Sequence, residues 1–273
     1  DGSGVGKSVL MGMMAKHTEA DVTVIGLVGE RGREVKDFVE HNLGAEGLKK
    51  SVVVAATSDT SPLVRMRGAY LATTIAEYFR DQGKHVLLII DSITRFAMSS
   101  RDVGLSAGEP PTNRGYTSSF FVRIPILLER AGNIEGKGSI TGIYTVLVEG
   151  DDLNDPVGDT VRSIVDGHIV LSRKLANRGH YPAIEVLESV SRVARDVASP
   201  EHIELRERTI RILSAYASAE DMISIGAYAK GSNPVIDQAI ALKPKLDELL
   251  RQPMDRRENC AIALNKLKAI YYS

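Results

Sequence analysis

The stretch Gly2-Ser3-Gly4-Val5-Gly6-Lys7-Ser8 constrains the fold more than any other part of the chain. Three glycines let backbone N–H groups turn inward around an anion. Lys-Ser then opens a helix, whose positive N-terminal end adds to the attraction. A loop of this kind joins a buried strand to a helix. No strand-like run precedes Gly2, so the expectation is a fragment whose first core strand is missing. The strict pattern also asks for glycine where Asp1 stands. A chance glycine-rich turn is the competing reading, and a second signal weighs against it.

That signal is Val86-Leu-Leu-Ile-Ile-Asp91. An aliphatic run ending in an acid sets a carboxylate at the C-terminal edge of a buried strand, where open α/β sheets bind ligands. Asp91 is therefore a candidate Mg²⁺ residue. Alone, it reads equally well as a strand-end acid capping a turn. Glu30 follows Val22–Val28 in the same way, in Gly29-Glu30-Arg31-Gly32-Arg33-Glu34. A carboxylate there can polarise a water. The pattern alone favours a solvated acid paired with Arg31 or Arg33.

Around these motifs the texture alternates. Strands are predicted at Val22–Val28, Ser51–Thr57, His85–Ile90, Ser139–Leu147 and Gly167–Leu171, helices at Ser8–Lys16 and Arg33–Asn42 and from Ser61-Pro62 to the stop at Gly83. Near-continuous apolar strands between helices predict a parallel sheet covered on both faces. Val103–Tyr116, rich in Gly and Pro, is predicted as a long functional loop. After Ser199-Pro200 the sequence turns helical, with helices expected at Glu201–Ser218, Asp221–Ala229, Pro234–Leu250 and Arg256–Ile270. The expected fold class is α/β, with a core over 1–198 and a helical domain over 199–273.

Composition closes off several classes. Hydrophobic residues make up 43% of 273, and 34 Lys+Arg balance 35 Asp+Glu, so a disordered chain is excluded. A net charge of −1 gives no basic footprint for nucleic acid. One cysteine, Cys260, excludes a disulfide framework and a cysteine-based zinc cluster. It reads as a small buried hydrophobe. His17, His41 and His202 read as surface or helix-face residues. No aliphatic run approaches a membrane span.

The motifs GSGVGKS, GLVGERGREV, LLIIDSITRFAM, AGEPPTNRGYTSSFF, YTVLVEGDDLNDPVGDTVRSIVDGHIVLSR and HYPAIEVLESVSRV together resemble the type III protein export ATPases. This family serves flagellar assembly and injectisomes, and is a branch of the rotary F1/V-type ATPases. The resemblance covers the whole chain, and Ile93–Met98 looks more like the flagellar members. It implies a RecA-like P-loop core with a mostly parallel sheet, then a C-terminal α-helical domain, with an N-terminal β-barrel domain absent. The missing strand is expected beside the Asp91 strand. ATP and Mg²⁺ are the implied ligands.

Residue by residue, the resemblance implies an ATP-binding loop of Gly2, Ser3, Gly4, Val5, Gly6, Lys7, Ser8 and Val9. Lys7 matches the phosphate-binding lysine, Ser8 and Asp91 the Mg²⁺ residues. Glu30 matches the catalytic carboxylate and Arg31 its neighbour near the γ-phosphate. Arg192 matches the arginine finger. Tyr181 matches the aromatic against adenine, and Tyr228 the other side of that pocket; without the family, a Tyr next to Pro is more often core packing, and Tyr228 reads equally as helical-domain core. In rotary F1 motors the carboxylate and the finger sit on different subunit types. This chain carries both, so one chain type can build every site, and a homohexameric ring is expected. The implied partners are a central stalk protein, a negative regulator, export chaperone–substrate complexes and an export gate at the inner membrane, with no nucleic acid. The implied place is the cytoplasm, peripheral at the bacterial inner membrane. Competing readings are a rotary F/V-type subunit, an RNA translocase resembling transcription terminator Rho, and a nucleotide-binding ring component that does not hydrolyse.

Overall fold

The computed structural model describes residues 4–148 and 155–272. Gly2 and Ser3 of the expected ATP-binding loop lie outside the described residues. The chain forms two compact units, one over 7–165 and one made of 4–6 and 166–272.

In the first unit, α1 (Lys7–His17) opens at the Lys-Ser pair. Strand β1 (Val22–Val28) leads into α2 (Gly32–Asp37), a π-helical turn (Phe38–Leu43) and α3 (Gly44–Leu48). Strand β2 (Ser51–Ala56) is followed by α4 (Pro62–Asp81), where the Ser61 hydroxyl caps the first turn by accepting from the Val64 N–H. Strand β3 (His85–Asp91) leads into α5 (Ile93–Ser106), then α6 (Ser118–Leu128), the short β4 (Gly132–Asn133), β5 (Ser139–Tyr144) and α7 (Pro156–Ile164).

The sheet order is β2-β1-β3-β5-β4. The pairs β1–β2, β1–β3 and β3–β5 are parallel, and β4 pairs antiparallel with β5. Residues alternate between two cores, as a period of two requires. Val24, Val28, Val86, Leu88 and Ile90 pack with Ala69, Ala72, Phe96, Phe120 and Ile124 of the helices on one face. Ile25, Leu27, Leu87 and Ile89 pack with Met11, Ala15, Phe38 and Leu43 on the other. Both faces are covered, as the apolar strands predict. Helix α4 comes close to β1 because residue 26 is glycine: a Cβ there would lie 2.8 Å from Ile90 Cδ1 and 3.0 Å from Ala72 Cβ.

Several expectations are corrected. Strand β3 is paired on both edges, by β1 and β5, so no further strand fits beside Asp91. The loop expected from Val103 begins only at Ala107, because α5 runs through Gly104. That glycine is kept by contact, since a Cβ on it would meet Thr117 Oγ1 at 2.5 Å. Tyr116, at the end of this loop, is buried against Phe120, ring centroids 4.5 Å apart.

In the second unit, β6 (Gly167–Leu171), α8 (Arg173–Asn177), β7 (Ile184–Ser191) and α9 (Ala194–Val197) precede three helices. Strand β6 was expected in the parallel sheet; it pairs antiparallel with β7 in a sheet of its own. Helices α10 (Pro200–Ser224), α11 (Pro234–Leu250) and α12 (Cys260–Tyr272) pack through Ile212, Leu213, Ala239, Leu246, Leu267 and Ile270. The two helices expected over 201–229 are one, because nothing between Ser218 and Asp221 interrupts it. It stops at Gly226, whose φ of 71° lets Ala227 N–H turn back to the Met222 carbonyl. The last helix starts at Cys260 instead of Arg256, with Asn259 Oδ1 accepting from Ile262 N–H. Cys260 is exposed, not buried, because it stands at the head of that helix.

Candidate active site

The parallel register brings three strand ends to one edge of the first unit. Leu27 lies opposite Asp91, and Ile90 opposite Tyr144. Gly29, at φ 72°, turns the chain out of β1, its N–H donating to the Ala56 carbonyl. The Glu30 carbonyl accepts from Ser58 N–H. These two bonds tie the Gly29–Glu30 turn to the end of β2, while on the Asp91 side Ser92 N–H donates to the Val28 carbonyl at 3.4 Å.

Asp91 is 4% exposed. Its Oδ1 accepts from Lys7 Nζ at 2.5 Å and from the Thr145 hydroxyl at 2.6 Å. Lys7 and Asp91 are 84 residues apart in sequence and form a part-buried ion pair. The Asp91–Ser92 peptide is cis, and Ser92 Oγ accepts from Arg95 N–H at the start of α5. A small cavity is lined by Ser8, Leu27, Glu30, Glu34, Val35, Phe38 and Asp91. Burial first, and then the Asp91 carboxylate, push the Glu30 carboxyl up to about 7, with Lys7 pulling the other way and a hydrogen bond to Glu34 adding to the rise. Neither Arg31 nor Arg33 pairs with Glu30 in any ion pair of the described residues. Arg31 instead pairs, at 3.4 Å and exposed, with Glu34.

Sequence reasoning did not single out Thr145 or Glu34. The signal for Thr145 is topological, since it follows the strand that pairs with the Asp91 strand. Glu34 carries no such signal, since it stands in the first turn of α2 while Glu30 lies before the helix, in the turn that leaves β1.

The cavity's oxygen donors are those a hard divalent cation prefers. Mg²⁺ takes one or two protein oxygens and leaves its remaining positions to water and phosphate. The Ser8 hydroxyl and the Asp91 carboxylate fit that demand. Among the described residues there is no group of three or more His, Cys, Asp or Glu side chains that could hold a metal by itself.

The second unit holds Gly4, Val5, Gly6, Tyr181, Arg192 and Tyr228. Gly4 and Gly6 take φ of 94° and 82°, a region that glycine enters at no steric cost. Val5 is buried with Ala176 and Ala183. The Tyr181 ring lies over Gly6, where a Cβ would be 3.5 Å from Tyr181 Cδ1. Tyr181 is 45% exposed and precedes Pro182 through a cis peptide. Its ring is not core. Arg192 is exposed just past β7, its N–H donating to the Asp166 carbonyl at 2.7 Å. The Tyr228 hydroxyl donates to the Asn233 carbonyl at 3.0 Å and lies 3.1 Å from Asp237 Oδ1. Val9 stands half-buried in the first turns of α1.

Residues 1–191 match the ATP synthase alpha/beta family, nucleotide-binding domain, and residues 198–269 match the T3SS EscN ATPase C-terminal domain. The chain belongs to the ATP synthase alpha/beta family. Within it, the chain is 59% identical over 256 residues to the flagellum-specific ATP synthase of Treponema pallidum, covering 94% of this chain and 57% of that protein. It is 54% identical over 271 residues to that of Salmonella typhimurium, covering 99% of this chain and 59% of that protein. The chain thus spans less than two thirds of the length of these relatives. Among solved structures, it superimposes on the assembled ATPase EscN of the enteropathogenic E. coli type III secretion system with a TM-score of 0.94. The identity is 47%, over 98% of this chain and 65% of that one. EscN in complex with its central stalk EscO gives a TM-score of 0.91 at 46% identity, over 98% and 64%. A type III export branch of the ATP synthase alpha/beta family accounts for both domain matches. No helix among the described residues is long and apolar enough to cross a membrane.

Proposed function

We propose that this chain hydrolyses Mg–ATP to ADP and phosphate as the motor part of a type III protein export ATPase, flagellar in kind. The observation that carries the reading is the convergence of Lys7, Ser8, Glu30 and Asp91 at the C-terminal edge of a parallel sheet. The flagellar assignment rests on relatives such as the Treponema pallidum protein, at 59% identity.

Phosphoryl transfer asks the protein for positioning and charge rather than covalent chemistry. The loop amides from Gly4 to Val9 would wrap the phosphates. Lys7 leaves Asp91 and moves to the β and γ phosphate oxygens. Ser8 and Asp91 would hold Mg²⁺, which would supply positive charge against the charge that develops in phosphoryl transfer. Glu30 orients a water in line with the leaving oxygen and takes its proton. A base with a pKa near 7 is well placed for that at neutral pH. Arg31 stands beside Glu30 and answers γ-phosphate charge. Tyr181, over Gly6, forms one wall for the adenine ring, and Tyr228 the other.

Arg192 is assigned to the site of a neighbouring copy. Its exposure just past β7 supports that reading. The ring is assigned as a homohexamer with a central stalk partner, and EscN, 46% identical, is solved in complex with its central stalk EscO. A negative regulator, chaperone–substrate complexes and an export gate complete the proposed partners, at the cytoplasmic side of the inner membrane. The ATPase core is assigned to 1–198 and the helical domain to 199–273.

The test mixes two inactive variants of the full-length protein, Glu30→Gln and Arg192→Ala. Loss of an arginine finger costs about 10³–10⁵ in rate. Each variant alone is expected to be silent, and the mixture to recover hydrolysis, because some interfaces then pair an intact Glu30 with an intact Arg192. No recovery from two folded, assembling variants overturns the shared site.

A further inference from the structure

The Asp91 carboxylate carries two donors on one oxygen, and the proposed chemistry removes one of them. Lys7 Nζ and the Thr145 hydroxyl both bond Oδ1, at 2.5 and 2.6 Å. When Lys7 moves to the phosphates, Thr145 is left as the side-chain donor that fixes this carboxylate. We propose that Thr145 is a positioning residue that keeps Asp91 aligned toward Mg²⁺ through the exchange of Lys7 between Asp91 and nucleotide. This rests on the ATPase reading given above.

The placement of Thr145 is tight. Its N–H donates to the Ile90 carbonyl at 3.1 Å, and its carbonyl accepts from Ile93 N–H at 2.9 Å. The residue is therefore clamped between the end of β3 and the start of α5, on either side of Asp91 itself. Its hydroxyl has one proton and two acceptors in reach, Asp91 Oδ1 at 2.6 Å and the Ile90 carbonyl at 3.5 Å. The shorter bond, to an ionised acceptor, takes the proton. A carboxylate turns easily about its last torsion, which is broad and two-fold. Without Thr145, Asp91 is free to turn after the departing ammonium, and the metal loses a fixed ligand.

A charge-assisted hydrogen bond contributes about 1.5–3 kcal/mol. Even its lower end, at 1.36 kcal/mol per decade, predicts a shift of about tenfold. The experiment uses the intact protein and follows binding of a fluorescent ADP analogue as Mg²⁺ is titrated, with no turnover. Thr145→Val, which keeps the shape and removes the hydroxyl, is expected to raise the Mg²⁺ midpoint about tenfold and leave metal-free nucleotide binding unchanged. Thr145→Ser is expected to restore the wild-type midpoint. If the Val variant fails to fold, Thr145→Ala replaces it in the same titration. A wild-type midpoint in the hydroxyl-free variant, or a Ser variant as weak as Val, overturns the proposal. If the unmutated protein shows no Mg²⁺-dependent binding, the ATPase reading itself falls, and this inference with it.

Discussion

Glu30 has opposite consequences for activity and for stability, and both follow from one shifted proton. Its carboxyl is raised from 4.5 to about 7, by burial and by Asp91. As the base it must be unprotonated. kcat/KM for ATP, which reports the free enzyme, is expected to rise with pH along an acid limb centred near 7. A limb near 4.5 would show that Glu30 is an ordinary solvated acid. For stability the sign reverses. Between 4.5 and 7 the folded state holds a proton that the unfolded state has lost, so folding weakens as pH rises through this window. Glu30→Gln removes the penalised charge. It is expected to be more stable than the unmutated chain at pH 8, by on the order of 1 kcal/mol after solvent screening of this half-buried group, and equal to it near pH 4. Urea unfolding at both pH values measures the difference. At this scale the sequence was legible where a motif carries its own geometry. Lys7, Glu30 and Asp91 each stand at the end of a run that announces a loop or a strand. Thr145 was not legible, because a threonine at a strand end is common and its partner is 54 residues away. Cys260 was misread because burial of a helix's first residue depends on where the helix starts.

Elements were legible where burial is two-sided. β1 is apolar but for Thr23, and β3 is aliphatic from Val86 to Ile90, and their bounds come out within a residue of those read from sequence. β7 escaped because Glu185, Glu188 and its serines interrupt the apolar pattern, and its partner β6 was then drawn into the wrong sheet. The close approach of α4 to β1 at Gly26 could not be read at all, because a missing side chain leaves no pattern. It makes a prediction. Gly26→Val drives side-chain atoms into Ile90 and Ala72, whose nearest atoms already lie 2.8 and 3.0 Å from a bare Cβ. Overpacking of this kind costs about 1–3 kcal/mol, read as a lower urea midpoint. An unchanged midpoint would mean that α4 yields without cost. The second unit offers a contrast. Tyr228→Phe keeps the ring and removes the hydroxyl that bonds the Asn233 carbonyl beside Asp237. It is expected to lose about 1 kcal/mol of stability while nucleotide affinity holds, as a ring acting as a pocket wall requires. Weakened nucleotide binding in that variant would move the role from ring to hydroxyl.

The whole molecule works only if copies complete one another. Glu30 belongs to the first unit and Arg192 to the second, and one chain type carries both. If each hydrolytic site takes its carboxylate from one copy and its arginine from the next, the interface is heterologous, and closure gives a ring. An isolated copy then holds nucleotide with every group except the finger. Hydrolysis per chain should therefore depend on concentration, which a self-sufficient site would not allow. In the full-length protein, specific ATPase activity is expected to fall steeply on dilution below the assembly constant, toward the ~10³–10⁵ that loss of a finger costs. Nucleotide binding per chain should stay level, because Lys7, Ser8 and Asp91 remain together in each copy. Sedimentation run over the same concentrations should show a six-copy species giving way to smaller ones as the activity drops. If a dilute, monomeric sample keeps the full rate per chain, Arg192 serves its own copy or no site at all, and the ring has to be explained by something other than hydrolysis.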